Sequence, residues 1–316
     1  MIRSLALLPL LPLLALGCVD DGDDGAGPGG TSDVPVGLAE DLTALASYPL
    51  TASGELGEAR YHSVPADLED AQADEEVHLA IWDLARPVFA SHLDWMDLFV
   101  VFTDGADNTL AQVFTVNNDP TRWALAFDHE DALDTDGTVG GDAVVFTLVH
   151  EFAHVLSLNA DQITFDPDLD SEDQDAVAAA AADCETHYLD EGCPLPDAYI
   201  QRFHETFWTD LADYEAEVDA LDEDASEEVI AAKYAEEPER FVSEYAATNV
   251  AEDFAESFAY FVFEGPNGDL ERDEKVRFFE QFPEVVQIRD DILGQGLSAS
   301  GQGLTARGFT AGRRCR

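Results

Sequence analysis

Basic residues are scarce in this sequence. Its 316 residues include 15 Lys and Arg against 67 Asp and Glu, which gives a formal net charge of -52. A surface this acidic repels nucleic acid and anionic lipid, so the scarcity argues against a phosphate-binding role. A salty exterior, a cationic partner and divalent cations all remain compatible with the charge, and a solvated acidic surface explains it most simply.

The N-terminus lacks an apolar run long enough to span a membrane. Its apolar stretch, residues 5–16, is too short for a spanning helix. The stretch follows Arg3 and precedes "ALGC", which resembles the lipobox of bacterial lipoproteins, where the signal peptide is removed before an acylated cysteine. We therefore expect residues 1–17 to be a signal peptide and Cys18 to be a lipid anchor in a bacterial membrane. Val19, where some inner-membrane lipoproteins carry aspartate, favours the outer membrane or the cell surface.

Composition divides the rest of the chain into three segments. Residues 18–40 are rich in Gly, Asp, Pro and Ser and too polar to collapse, so we predict a flexible acidic tether. Residues 41–293 are long enough and apolar enough to fold as one domain around a core. Residues 294–316 are rich in Gly, Ser and Arg and are expected to form a disordered tail, with docking of this basic tail on the acidic body as the alternative.

Three short β-like runs precede a largely helical C-terminal part. They are "LFVVFT" (98–103), "AQVFTV" (111–116) and "WALAF" (123–127), separated by Gly, Asn and Asp clusters. Helical apolar spacing occurs near residues 66–90 and again from about residue 172 onward. Strands first and helices later predict the α+β class with a small mixed sheet.

The sequence has only four cysteines. If Cys18 is acylated, three remain, and three thiols allow three pairings. Cys184 and Cys193 lie close together in "DCETHYLDEGCPLP", and export permits a disulfide, so we predict that this pair closes a small loop. Cys315 would then be left over.

The acidic segment "DPDLDSEDQD" (166–175) lacks the features of a calcium-binding EF-hand loop. It has no glycine at the sixth loop position and no glutamate at the twelfth. A solvated acidic loop is the simpler interpretation, and a calcium ion has no further support.

The stretch "VVFTLVHEFAHVLSLN" (144–159) places three ionisable side chains in an apolar run. A helix puts His150 and His154 on one face, with Glu151 beside them and apolar residues opposite, and Asp142 is placed to cap its start. Two imidazoles one turn apart can bind one Zn²⁺, and the glutamate between them can take a proton from a water on the metal. The pattern therefore predicts a catalytic-type site for one zinc ion per chain.

The third protein ligand of such a site is less directly encoded. An extended HExxHxxGxxH motif is excluded, because Ser157 and Ala160 stand where it needs glycine and histidine. A later helical segment, residues 244–263, carries Glu252 and Glu256 four residues apart, away from its apolar face.

One of these carboxylates could bind zinc while the other orients a ligand histidine. Glu252 also fits a capping box that begins at Asn249, and His187 and His204 are competing ligands. Spacing alone leaves these alternatives open.

The two motifs together resemble a known family. "HEFAH" followed by "YAATNVAEDFAESF" is similar to the glutamate-zincins (gluzincins), most closely the catalytic domain of anthrax lethal factor and related bacterial zinc-binding metallopeptidase lipoproteins. The resemblance implies a zincin-like domain over residues 41–293, with Glu252 as the third zinc ligand. It also implies that Glu256 supports a ligand and that Tyr245 supports the oxyanion. It covers two short motifs and the order of strands before helices, so no substrate preference carries over.

These observations predict a zinc metalloendopeptidase acting on a protein or peptide, with Glu151 as general base. We also expect "WALAF" to be the sheet edge that pairs with an extended peptide. One alternative is a zinc amidase acting on a cell-wall or other non-peptide amide bond. The other is a non-catalytic surface lipoprotein that keeps zinc for structure, which would need a further Cys or His near the metal.

Overall fold

The structure is a computed structural model and describes residues 37–39, 42–105, 109–166, 168–169 and 173–299. The predicted signal peptide, Cys18, Cys315 and most of the predicted tether and tail lie outside these residues.

Five strands form one mixed sheet. They are β1 (Thr43–Pro49), β2 (Arg60–Tyr61), β3 (Met96–Thr103), β4 (Ala111–Thr115) and β5 (Trp123–Asp128). Their order across the sheet is β2-β1-β3-β5-β4, with β3 and β5 parallel and the other neighbours antiparallel. The three predicted strands are confirmed as β3, β4 and β5. Strand β1 was not predicted, because its segment "TALASYP" is rich in small residues rather than in β-branched ones.

The prediction that "WALAF" is the sheet edge is wrong. This segment is β5, which lies between β3 and β4 and is buried along its whole length. The edge strand on this side is β4. A run that is apolar at every position is typical of a strand covered on both faces, and that pattern was the better guide.

Helices account for most of the remaining structure. Before and around the HExxH motif they are α1 (Glu69–Gln72), α2 (Glu75–Ala85) and α3 (Asp142–Leu158). The C-terminal helices are α4 (Gln174–Asp183), α5 (Tyr199–Phe207), α6 (Ala212–Asp219), α7 (Glu223–Glu236), α8 (Val250–Phe263), α9 (Glu271–Phe278) and α10 (Pro283–Gly294). Two short strands, β6 (Ile163–Thr164) and β7 (Cys193–Pro194), pair antiparallel. The predicted α+β class is confirmed.

The two faces of the sheet contribute to different parts of the core. Phe99 and Leu125 lie on the face that joins the helices in the main core. Phe102 and Ala126 lie on the opposite face, where Leu38 helps to cover a smaller apolar cluster. The helix that carries the HExxH motif packs into the main core and is buried from its third residue to its end.

The start of α3 is set by glycine. Gly140 and Gly141 have φ angles of 134° and 104°, a backbone region that favours glycine because it has no Cβ. Gly141 is the N-cap residue and Asp142 is the first residue of the helix. Asp142 therefore does not cap the helix as the sequence suggested, although its charge still lies at the positive end of the helix dipole.

The helical pattern near residues 66–90 forms two helices, α1 and α2. The break lies at Asp74, whose carboxylate accepts a hydrogen bond from the Val77 N–H and so begins a new helix. Among the described residues, no helix has the length and apolar character needed to cross a membrane.

Candidate metal centre

The HExxH side chains lie where α3 packs against α8. His150, Glu151 and His154 are all buried, although each is ionisable. Phe152, one residue beyond the motif's glutamate, packs edge-on against Phe89 on the other side of the helix. The apolar face therefore holds the helix in the core, and the polar strip faces α8.

Helix α8 presents Glu252 to this strip. Its N-cap is Asn249, whose side-chain oxygen accepts hydrogen bonds from the N–H groups of Ala251 and Glu252. The bond from the Glu252 N–H is one of the two hydrogen bonds that define a capping box. The Glu252 carboxylate lies against the two histidines, with Oε2 at 3.1 Å from His150 Nε2 and 3.3 Å from His154 Nε2.

These three atoms form a nearly equilateral triangle. The third side, between the Nε2 atoms of His150 and His154, measures 3.2 Å. Two atoms that each lie about 2.0–2.1 Å from a tetrahedral zinc ion are about 3.3–3.4 Å apart. Two imidazole nitrogens this close share either a proton or a cation, because two unprotonated lone pairs would repel. The three residues could therefore hold a metal ion.

The second carboxylate of α8, Glu256, contacts the side of the His150 ring that faces away from the triangle. Its Oε1 accepts a hydrogen bond from His150 Nδ1 at 2.9 Å, and its Oε2 accepts one from the Ser243 hydroxyl at 2.7 Å. The Nδ1 contact fixes the His150 ring so that Nε2 faces His154 and Glu252. The sequence predicted this role for Glu256 and did not identify Ser243.

The electrostatics of the group favour a bound cation. Burial lowers the pKa of His150, but hydrogen bonds with Glu252 and Glu256 outweigh it and hold that pKa well above its ordinary value. Burial raises the pKa of Glu252, but His154 and His150 lower it far below its ordinary range. Negative charge therefore dominates around the His150 ring, and a positive charge at the triangle is stabilised.

Tyr245 lies beside the triangle. It belongs to a single 3-10 turn, Tyr245–Ala247, that precedes α8, and its ring centroid is 5.7 Å from that of His150. Burial, the nearby carboxylates and a hydrogen bond with Glu252 raise the pKa of Tyr245 well above its ordinary value. The hydroxyl is therefore a protonated donor at neutral pH.

Glu151 contacts the edge of the sheet. Its Oε2 accepts a hydrogen bond of 2.8 Å from the backbone N–H of Val113 in β4. An edge strand has backbone groups without a strand partner, so it can hold a side chain in this way. Residue patterns give no sign of this contact, because the donor is a backbone group and any residue at position 113 except proline would supply it.

The residue that follows Glu252 on α8, Asp253, forms a buried ion pair. Asp253 and Lys275 are both fully buried, with their charged atoms 2.5 Å apart, and Trp208 Nε1 also donates to Asp253 at 2.7 Å. This pair ties α8 to α9 and to the end of α5. It was not predicted, since Lys275 lies in the highly polar "ERDEKVRF" segment, which gives no sign of burial.

The competing ligands His187 and His204 are not part of this group. Together with Glu215 they form a second cluster of possible metal ligands within the described residues. The predicted disulfide between Cys184 and Cys193 is present.

Comparisons with known protein families, with curated proteins and with solved structures find no match for this chain.

Proposed function

We propose that this protein is a zinc metalloendopeptidase of the glutamate-zincin type, with a zincin-like domain. The observation that carries the proposal is the triangle of His150 Nε2, His154 Nε2 and Glu252 Oε2, with sides of 3.1, 3.2 and 3.3 Å. Its dimensions suit one tetrahedral zinc ion, and two nitrogens with one carboxylate oxygen is a donor set found in catalytic zinc sites.

The composition of the group supports a catalytic rather than a structural metal. Structural zinc sites are closed by four protein ligands, whereas catalytic sites have three and keep one position open. The described part of the chain supplies two histidines and one glutamate to this group, without a further histidine or cysteine. When bound, zinc would supply Lewis-acid chemistry, lowering the pKa of a water towards about 7 and polarising a carbonyl.

Glu151 is the general base in this proposal. The Val113 N–H donates to Oε2 and so restrains the carboxylate, which lies on the side of the helix next to the two histidines. Oε1 takes the proton of the attacking water and passes it to the departing amine nitrogen, so that the same carboxyl acts first as base and then as acid. Burial of Glu151 keeps bulk water from competing for this proton.

Two further residues orient the reacting groups. The Tyr245 hydroxyl is held protonated and donates a hydrogen bond to the oxyanion that develops on the scissile carbonyl. Glu256 holds the His150 ring through Nδ1 and so keeps Nε2 directed at the ligand triangle. These roles are the ones that the resemblance to the glutamate-zincins implies.

We further propose that the enzyme is exported and lipid-anchored through Cys18, with the outer membrane or cell surface favoured. This part of the proposal depends on the N-terminal sequence alone, because Cys18 lies outside the described residues. Its substrate would then be a protein or peptide in the space that faces the anchored domain.

The proposal is tested by Glu151→Gln. The amide preserves the side-chain volume and an oxygen that can accept from Val113, but it cannot take a proton. We expect the metal content of wild type and a loss of about 10²–10⁴ in cleavage of a denatured protein mixture. The control is Glu130→Gln, which removes an exposed carboxylate and should cleave like wild type. Equal cleavage by the Glu151 variant and wild type would refute the assigned base.

Purified peptidoglycan, assayed beside the protein mixture, separates the amidase alternative. If amines are released from peptidoglycan while the proteins of the mixture stay intact, the amidase assignment would replace the peptidase assignment. Full metal content with neither activity would favour the non-catalytic alternative.

A further inference from the structure

A second cluster of metal-ligand side chains lies apart from the first. It consists of His187, His204 and Glu215, and one possible ligand atom of each lies within 4.8 Å of the others. His187 Nε2 is 3.5 Å from a Glu215 carboxylate oxygen. The three side chains come from the loop before β7, from α5 and from α6, so the fold and not local sequence brings them together.

The loop that carries His187 is anchored at both ends and in the middle. The disulfide between Cys184 and Cys193 closes it. The backbone N–H of His187 donates a 3.0 Å hydrogen bond to the side-chain oxygen of Gln201 on α5. Gln201 is itself buried and donates to Glu205 at 3.0 Å. His187 is therefore held beside α5 by covalent and hydrogen-bonded restraints.

The two imidazoles stack, with centroids 3.9 Å apart and planes 13° from parallel. A metal lies near the plane of an imidazole that binds it, so one ring must turn for both to bind a single ion. Rotation about the bond to an imidazole ring is soft. The Nδ1 atom of His204 is buried and makes no hydrogen bond in the described part of the chain, so no bond at that atom opposes the turn.

We propose that His187, His204 and Glu215 form a second metal site, which binds Zn²⁺ or another late first-row divalent cation. Two imidazoles and one carboxylate suit this class of ion better than Ca²⁺ or Mg²⁺, which prefer all-oxygen ligands. The site does not depend on the proposed peptidase function.

The bound ion ties the disulfide loop to α5 and α6. Next to Glu215, the Tyr214 hydroxyl donates a 2.6 Å hydrogen bond to the carbonyl of Ala247. Ala247 ends the 3-10 turn that carries Tyr245. The second site thus braces α6, which contacts the segment beside the first centre, the group of His150, His154 and Glu252.

The experiment counts zinc in the full-length protein by mass spectrometry after equilibration with buffered free Zn²⁺. Excess Mg²⁺ and Ca²⁺ are present to occupy the many surface carboxylates. We expect two equivalents in wild type and one in His204→Ala. Glu215→Gln should weaken binding of the second equivalent at least about tenfold, because the ligand loses its charge. Glu217→Gln, an exposed change on the same helix, is the matched control and should keep two equivalents.

The first centre provides an internal reference. Glu252→Gln should lose or weaken its own equivalent and leave the second unchanged. A wild type with one equivalent that His204→Ala does not alter would overturn the second site and leave the proposed function standing. Two equivalents in the Glu252 variant, with cleavage unchanged, would instead contradict the first centre.

A measurement on the wild-type protein tests the second site even if the variants fail to fold. Acylation of histidines by diethyl pyrocarbonate, mapped by mass spectrometry, should slow at His187 and His204 when Zn²⁺ is added and not when Mg²⁺ is added. His129, outside both groups, should react at the same rate throughout. Equal rates at His187 and His204 with and without Zn²⁺ would refute the site.

Discussion

Neutralising Glu256 should weaken metal binding at the first centre without disturbing its geometry. In Glu256→Gln, the amide oxygen can still accept from His150 Nδ1, and the amide nitrogen can donate to the Ser243 hydroxyl. The charge is lost, and the hydrogen bond with Ser243 reverses its direction. A hydrogen bond to a charged group contributes about 1.5–3 kcal/mol and a neutral one about 0.5–1.5 kcal/mol. The difference, roughly 1–1.5 kcal/mol, corresponds to about a 5- to 13-fold higher Kd for zinc.

Removing the side chain should have a larger effect. Glu256→Ala also frees the His150 ring, and loss of such a supporting contact typically lowers metal affinity by about 10–100-fold. Zinc affinity should therefore decrease in the order wild type, Glu256→Gln, Glu256→Ala.

The assay is competition for zinc with a chromophoric chelator at pH 7.5. Glu264→Gln, an exposed change just after the end of the same helix, is the control and should bind zinc like wild type. Unfolding of the zinc-free proteins is measured in parallel, so that a folding defect is separated from a binding defect. A Kd within twofold of wild type for both Glu256 variants would refute the role assigned to this carboxylate.

Two further outcomes follow from contacts around the centre. Lys275→Met leaves the Asp253 carboxylate buried without its cation, so the free energy of unfolding should fall by about 3–5 kcal/mol, or roughly 6–20 °C in Tm. Adding Asp253→Asn should restore most of this loss, and thermal unfolding that shows no recovery in the double variant would argue against the ion pair as its cause. Tyr245→Phe should lower kcat by about 10²–10³ with zinc content unchanged, because one oxyanion donor is lost. A raised KM at unchanged kcat would instead assign Tyr245 to substrate binding.

Much of the first centre could be predicted from residue patterns. A helical repeat of 3.6 residues places His150 and His154 on one face, and the apolar residues around them require that face to be packed inside the protein. The same repeat places Glu252 and Glu256 one turn apart on α8, and the disulfide joins two cysteines that lie close together along the chain. These are local regularities, in which covalent spacing decides which side chains share a face.

Several features depended on contacts between distant segments and could not be predicted in this way. The order of the strands is one example, since β4 and β5 are both apolar and only their hydrogen-bond partners decide which lies at the edge. The burial of Lys275 is another, because it depends on Asp253 of α8 and not on the polar helix that carries the lysine.

By itself, then, the sequence determined the HExxH helix, the later glutamate helix, the α+β class and the closed disulfide loop, because each depends on periodicity or on short spacing along the chain. Only the tertiary structure decided that Glu252 meets the two histidines while His187 and His204 join Glu215 elsewhere. The physical reason is that ligands separated by about a hundred residues meet only when their helices pack, and packing is a property of the whole core.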